Sequence, residues 1–237
     1  MGAMKNSMRN RAVDLVIFDC DGVLVDSEPI SVAVLLEVIA EDGVKISPEE
    51  GYRIFLGRSL KTIVETIAAD YGLVITSDHV TEIRQRLFER FRRDLQPTPG
   101  IAEALAALKV PFCVASSSQV ERIELSLGVT GLLESFGANV YSSTMVRNGK
   151  PAPDLFLHAA RAMGVEPARC AVVEDSPAGI EAAGRAGMHV LAYLGGSHVG
   201  PADLRRRVEA MSPDLVFDRM ALLPSLIDRL SPGESFG

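Results

Sequence analysis

The sequence predicts an α/β protein: an open, doubly wound parallel sheet with helices on both faces, and a block of helices inserted early in the chain. Three observations carry this. An apolar run at 13–18 stops abruptly at carboxylates; the stretch from there to about residue 96 has helical periodicity and almost no strand; and from Ile101 onward strands and helices alternate. Strands that are apolar on both faces, in strand-helix alternation, belong to sheets covered on both sides.

Val13, Leu15, Val16, Ile17 and Phe18 predict the first strand, which delivers Asp19 to the sheet edge. If the extended conformation persists, Asp19 and Asp21 point the same way and their carboxylates converge, with Gly22 permitting a sharp turn after them. Two carboxylates held together repel, which implies either a bound cation or a division of labour between a nucleophile and a proton carrier. The plainer alternative is an ordinary Asp-Gly turn. Cys20 lies between the two acids and should face away from both.

The insertion reads as four helices. Ile30 to Ala40 is apolar at helical spacing, and Ser47-Pro48-Glu49-Glu50 has the composition of a helix start. Leu60 to Tyr71 carries the stripe Ile63, Val64, Ile67 and Ala68, and Ser77 to Leu95 alternates Val80, Ile83, Leu87, Phe88 and Phe91 with charge. Gln96-Pro97-Thr98-Pro99-Gly100 suits a hinge, so the expected division is 11–28 plus 97–230 for the sheet domain and 29–96 for the helical insertion.

After the hinge come helix 101–109, a strand ending in Ser116-Ser117-Ser118, strand 137–141, helix 154–163, strand 170–173, helix 178–186, strand 189–192, strand 215–217 and helix 221–230. Open parallel sheets bind ligands outside the carboxyl ends of their strands, where strand order reverses. Asp19 with Asp21, the three serines, and Glu174-Asp175 all fall at such ends, and Lys150 lies in the loop before a helix.

Each cluster has its own chemistry. Ser116 offers a hydroxyl beside the backbone N–H groups of a helix start, a natural cradle for a phosphate, with helix capping by Ser117 or Ser118 as the alternative. Glu174 and Asp175 suit a hard divalent cation such as Mg²⁺, which takes one or two carboxylates; capping of the following helix is the alternative. No dinucleotide fingerprint and no GxxxxGK[ST] loop occur. His79, His158, His189 and His198 are scattered and read as surface or packing residues.

Bulk composition sets limits. The 237 residues are 47% hydrophobic and 23% charged, enough for a large buried core. A net charge of −7 argues against a general nucleic-acid partner. Cys20, Cys113 and Cys170 form no close pair and fit buried thiols in a reducing cytoplasm. The basic first dozen residues lead into no signal-peptide core and no run of about 18 apolar residues follows, so no membrane association is expected.

The segment DCDGVLVDS at 19–27 resembles DxDGxxxDS, the first motif of the haloacid dehalogenase superfamily. The resemblance extends from about Asp14 to Phe217. It implies a Rossmann-like core with an α-helical cap domain inserted after the first motif. Asp19 then becomes the nucleophile toward phosphorus, and Asp21 the acid that protonates the leaving group and later activates water. Ser116 matches the second motif. Lys150, opening KPAPD, matches the third in the form typical of β-phosphoglucomutases and sugar-phosphate phosphatases.

In that family Mg²⁺ is held by the nucleophile, the backbone carbonyl of the second Asp and the acid of the fourth motif, which places Asp19, Asp21 and Asp175 around it, with Glu174 a less certain ligand. The cap segment Gly57-Arg58-Ser59, with Lys61, stands where the family places substrate-facing groups, and Ser117 and Ser118 would join them. Within the family the chain looks like bacterial phosphatases for phosphorylated sugars and sugar acids, including the 6-phosphogluconate phosphatases. A small phosphorylated metabolite is the expected partner, and a monomer or weak homodimer the expected state. Ser31 occupies the place of a His found in phosphoglucomutase-like transferases, which favours hydrolysis over transfer. A non-catalytic phosphate-binding protein is the remaining alternative, and the second acid, Asp21, argues against dehalogenation.

Overall fold

A computed structural model describes residues 12–56, 60–200 and 204–230. Its centre is a sheet of six parallel strands: β1 (Leu15–Phe18), β2 (Phe112–Ser116), β3 (Val140–Ser142), β4 (Cys170–Glu174), β5 (His189–Tyr193) and β6 (Leu215–Phe217), in the order β3-β2-β1-β4-β5-β6. The chain winds outward from β1 through β2 to β3, then returns to the other side of β1 and winds outward again. The strand order therefore reverses beside β1, and the expected doubly wound sheet is present.

Every residue of β1 is buried, as are all of β4 and β5, because helices cover both faces. Alternation splits β1 between two cores. Val16 and Phe18 pack with Phe136, Val114 and Val173 on one face, whereas Leu15 and Ile17 pack with Phe156, Cys113 and Val172 on the other. Each interior is apolar and continuous, so a loss of even one large side chain there would leave a cavity.

Between β1 and the rest of the sheet the chain builds helices α1 (Glu28–Glu41), α2 (Pro48–Phe55), α3 (Leu60–Tyr71) and α4 (Ser77–Asp94). They share a small core of their own, Leu35, Ile39, Phe55 and Ile67. Local signals set their ends: Ser47 accepts the Glu50 amide at the start of α2, and Thr76 with His79 forms a reciprocal cap on α4. The outgoing and returning strands of this insertion run side by side. The Thr98 amide donates to the Leu24 carbonyl (2.9 Å) and the Asp26 amide to the Gln96 carbonyl (3.1 Å). The Pro-rich segment at 96–100 is thus a paired crossing, and Gly100, at φ +80°, turns it into α5 (Ile101–Ala107).

The remaining helices are α6 (Val120–Val129), α7 (Leu133–Phe136), α8 (Asp154–Ala162), α9 (Pro177–Arg185), α10 (Leu204–Glu209) and α11 (Leu223–Leu230). The short α7 and α10 have no counterpart in the periodicity of the sequence, being too brief to show one. The third strand also sits later than expected, at 140–142, because Gly137 (φ +53°) ends α7 and only from Val140 does the chain run beside β2. Among the described residues no helix is long and apolar enough to cross a membrane.

Candidate active site

In-register pairing of β1 with β2 and β4 brings their carboxyl ends level. Phe18 lies beside Val114 and Val173, so the next residues out, Asp19, Ala115–Ser116 and Glu174–Asp175, meet on one rim. The Asp19 amide donates to the Val173 carbonyl (3.0 Å), fixing the acid at the strand end. A cavity of about 600 Å³ opens there, floored by this rim and roofed by Val32, Ile83, Leu87 and Phe88 of the inserted helices.

Lys150 enters the rim from the loop before α8. Its ammonium donates to Asp19 Oδ1 (2.6 Å), Glu174 Oε1 (2.6 Å) and the Ala115 carbonyl (3.0 Å), and it lies 4.8 Å from the centre of the Phe156 ring. Only 4% of its side chain is exposed. Lys150 is therefore not a solvated surface charge. Burial opposes its charge, but the flanking carboxylates of Asp19 and Glu174 outweigh burial and hold its pKa above the usual lysine value.

Asp19, Glu174 and Asp175 each place a carboxylate oxygen within 4.8 Å of the other two. Burial pushes the Asp19 carboxyl well above the ordinary range; Lys150 opposes this, and Glu174, Asp175 and Asp21 add to it. Burial also raises Asp175, against the contact of His198 Nε2, which is 2.9 Å from Asp175 Oδ2. Three buried acids facing one lysine carry surplus negative charge, and an all-oxygen donor set suits a hard divalent cation. The residues fit Mg²⁺.

The three carboxylates are not equivalent. Glu174 Oε2 accepts from the Asp175 amide, the Ser176 amide and the Ser176 hydroxyl, all at 2.9 Å, while Oε1 takes Lys150. A Cβ on Gly179 would fall 1.7 Å from Oε1, so any larger residue at that position would displace the Glu174 carboxylate from the start of α9. Glu174 is therefore occupied as a lysine holder and helix anchor, which leaves Asp19 and Asp175 the carboxylates with oxygen to spare.

Asp21 lines the same cavity as Asp19 but is held by other partners. β1 ends at Phe18 and the chain bends at Cys20, between the two acids, so the extended conformation that would align them does not persist. The Asp21 carboxylate lies outside the Asp19 cluster. It accepts from Ser27 Oγ and Arg122 Nη2 at Oδ1 (2.6 and 2.8 Å) and from Ser118 Oγ at Oδ2 (2.6 Å). Burial alone would raise it; Arg122 and the two hydroxyls more than offset this and leave its pKa below the usual value.

The serines divide as well. Ser116 is buried, and its hydroxyl accepts the Ser118 amide (3.1 Å), so one of the N–H groups expected for a phosphate cradle is already engaged. Ser118 spends its hydroxyl on Asp21, and Ser117 is exposed and offers its carbonyl to Ser143 Oγ (2.7 Å). Neither caps α6, whose cap residue is Gln119. Gly57, Arg58 and Ser59, and the Lys61 side chain, lie outside the described residues.

Three site residues had no signal in the sequence. Arg122 sits one turn into α6, with nothing in its neighbourhood to mark it. Glu28 opens α1 and lines the cavity, its carboxyl raised to about 7 by burial and by the charges of Asp21 and Asp175. His198, read as a packing residue, is fully buried against Asp175. Cys20 is buried in the core and its thiol is pushed up by burial, as its expected orientation implies.

A family model for haloacid dehalogenase-like hydrolases matches residues 13–187. The chain belongs to this family. It is 31% identical over 190 residues to the 6-phosphogluconate phosphatase of Escherichia coli, covering 80% of this chain and 86% of that protein. It is 36% identical over 189 residues to a probable pseudouridine-5'-phosphatase of Drosophila melanogaster, covering 76% and 81%. Among solved structures, a haloacid dehalogenase-like protein of unknown function from Agrobacterium tumefaciens superposes with a TM-score of 0.81 at 36% identity, over 93% of this chain and all of that one. A family hydrolase from Deinococcus radiodurans with bound phosphate and sodium gives 0.74 at 33%, over 92% and 96%. The chain is thus an enzyme of the hydrolase class, and the phosphatases among its relatives support that activity here. The inserted helices are the family's cap.

Proposed function

We propose that this hydrolase is a Mg²⁺-dependent phosphomonoesterase that acts on small phosphorylated sugars or sugar acids through a phosphoryl group carried on Asp19. The observation that supports it best is the convergence of Asp19, Lys150 and Asp175 on one cavity floor beside a second acid, Asp21, held separately.

In this reading an Asp19 carboxylate oxygen attacks phosphorus and the bond from phosphorus to the alcohol oxygen breaks, while Asp21, a carboxylate in the free protein, takes up the proton that a phosphomonoester monoanion brings and passes it to the departing alkoxide. Asp21, again a carboxylate, takes a proton from water as that water attacks the phosphorus of the aspartyl-phosphate. The bond to Asp19 breaks, inorganic phosphate leaves with that proton and both carboxylates are restored. Lys150 stays paired to Asp19 and stabilises charge spreading over the transferring oxygens. Mg²⁺ held by Asp19, Asp175 and the Asp21 carbonyl would shield the incoming phosphate from the carboxylates. The buried Ser116 hydroxyl orients the phosphoryl group, and the cap helices exclude bulk water.

Relatives named for phosphogluconate, fructose 1-phosphate and hexitol phosphates support the substrate class. The test is Mg²⁺-dependent phosphate release across a panel of sugar and sugar-acid phosphates. Asp19→Asn and chelation should each abolish it. Phosphate release by Asp19→Asn at the wild-type rate would reject the mechanism, and a strong preference for nucleotides would reject the substrate class alone.

A further inference from the structure

Asp21 is aimed by three donors, and they come from different parts of the molecule. Ser27 and Ser118 belong to loops of the sheet domain, and their hydroxyls hold one carboxylate oxygen each. Arg122 is different in kind. The Nη2 that donates to Asp21 Oδ1 (2.8 Å) also donates to Ser31 Oγ of α1 (3.1 Å), and the guanidinium carbon lies 5.3 Å from the centre of the Phe91 ring of α4. Its neighbour Glu121 forms an ion pair with Arg84, also on α4. One planar group on the sheet domain therefore touches Asp21 with its edge and both principal cap helices with its edge and face. Arg122 Nε is buried and has no partner. The guanidinium's position thus rests on Asp21, Ser31 and Phe91 rather than on a full set of bonds.

We propose that Arg122 is a positioning residue for the leaving-group proton. It sets the direction of the Asp21 carboxyl and makes that direction depend on where α1 and α4 sit. The proposal rests on the reading of Asp21 as the proton donor. A lysine would carry the same charge, but it has neither the flat face that lies on Phe91 nor the fork that reaches Asp21 and Ser31 together.

The experiment compares kcat/KM for an alkyl ester, glucose 6-phosphate or ribose 5-phosphate, with kcat/KM for 4-nitrophenyl phosphate, whose leaving group departs without a proton. This ratio reads only the steps up to transfer onto Asp19. Arg122→Met should lose about 100-fold on the sugar phosphate, the scale of a misdirected general acid, and less than about fivefold on the aryl ester. Arg122→Lys should fall between wild type and Arg122→Met, and Phe91→Leu should show the same pattern at roughly tenfold or less. Equal losses on both esters, or no loss, in Arg122→Met overturn the proposal; an unchanged Phe91→Leu enzyme overturns the link to the cap. If Arg122→Met fails to fold, Arg122→Lys and Phe91→Leu decide by the same comparison. Asp21→Asn is measured alongside: if it lacks the leaving-group pattern, the assignment of Asp21 has failed instead.

Discussion

Lys150 Nζ lies 2.6 Å from both Asp19 Oδ1 and Glu174 Oε1, so a single buried ammonium bridges acids supplied by the ends of β1 and β4. Removing one partner of such a group leaves the others charged without compensation. Lys150→Met should therefore lose stability by about 3–5 kcal/mol at neutral pH, measured by urea unfolding in the presence of a chelator. Part of that loss should be recovered at acid pH, where the orphaned carboxyls take up protons. The rate of phosphate release should fall by about 100-fold to 1000-fold, as for loss of a preorganised electrostatic group. A variant within twofold of wild type in both measurements would remove Lys150 from the site.

Asp175 and Glu174 are neighbours in sequence with opposite assignments, and metal titration separates them. Glu174 is filled by Lys150, two amides and a hydroxyl, whereas Asp175 touches only His198 among the contacts described. Asp175→Asn should raise the Mg²⁺ concentration for half-maximal activity by at least about tenfold with little change in unfolding midpoint. Glu174→Gln should do the reverse, weakening the fold by about 1–3 kcal/mol through the unmade bonds around Lys150 and α9. Equal effects of the two substitutions on Mg²⁺ dependence would erase the distinction.

These residues also show what was legible in the chain. Asp19, Ser116 and Glu174-Asp175 are visible because each follows or ends an apolar run and a parallel sheet must bring such ends together, whereas Lys150, in the loop before α8, is legible only through its KPAPD context. Asp19 and Asp21 line one cavity, but their carboxylates are held by different partners, because alternation applies only while the strand lasts and β1 stops at Phe18, before either acid. Arg122 and His198 reach the site across 101 residues and 23 residues of chain respectively, to Asp21 and Asp175, and no periodicity encodes such contacts. The strand 140–142 shifted because a glycine at positive φ, rather than hydrophobicity, decides where it starts.

Gly22 links the first motif to the fourth. It has φ +80°, and a Cβ there would fall 2.0 Å from Asp175 Oδ2 and 3.0 Å from His198 Cε1. Gly22→Ala pays for the left-handed backbone and also pushes the ligand carboxylate away. A stability loss of about 1–3 kcal/mol is expected. The half-saturating Mg²⁺ concentration should rise in the same direction as for Asp175→Asn. A variant that loses stability but binds Mg²⁺ normally would show that the close approach is not what holds Asp175 in place.

Glu28 supplies the pH dependence. Burial, then the charges of Asp21 and Asp175, raise its carboxyl to about 7 in the folded protein, above the ordinary glutamate value of about 4.5. A raised carboxyl favours the folded state while it is protonated. Its contribution is therefore fully present below about pH 4.5, declines as the unfolded chain ionises, and is gone once pH passes through about 7. The span corresponds to a loss of up to about 3 kcal/mol. Glu28→Gln keeps the shape and removes the titration, so with chelator present its stability should gain on wild type between pH 5 and about 8 by an amount of that order. Because Asp19 and Asp175 titrate in both proteins, the difference between the two urea-unfolding curves isolates Glu28. Curves that run parallel across this interval would show that Glu28 ionises in the folded protein as it does in the unfolded chain.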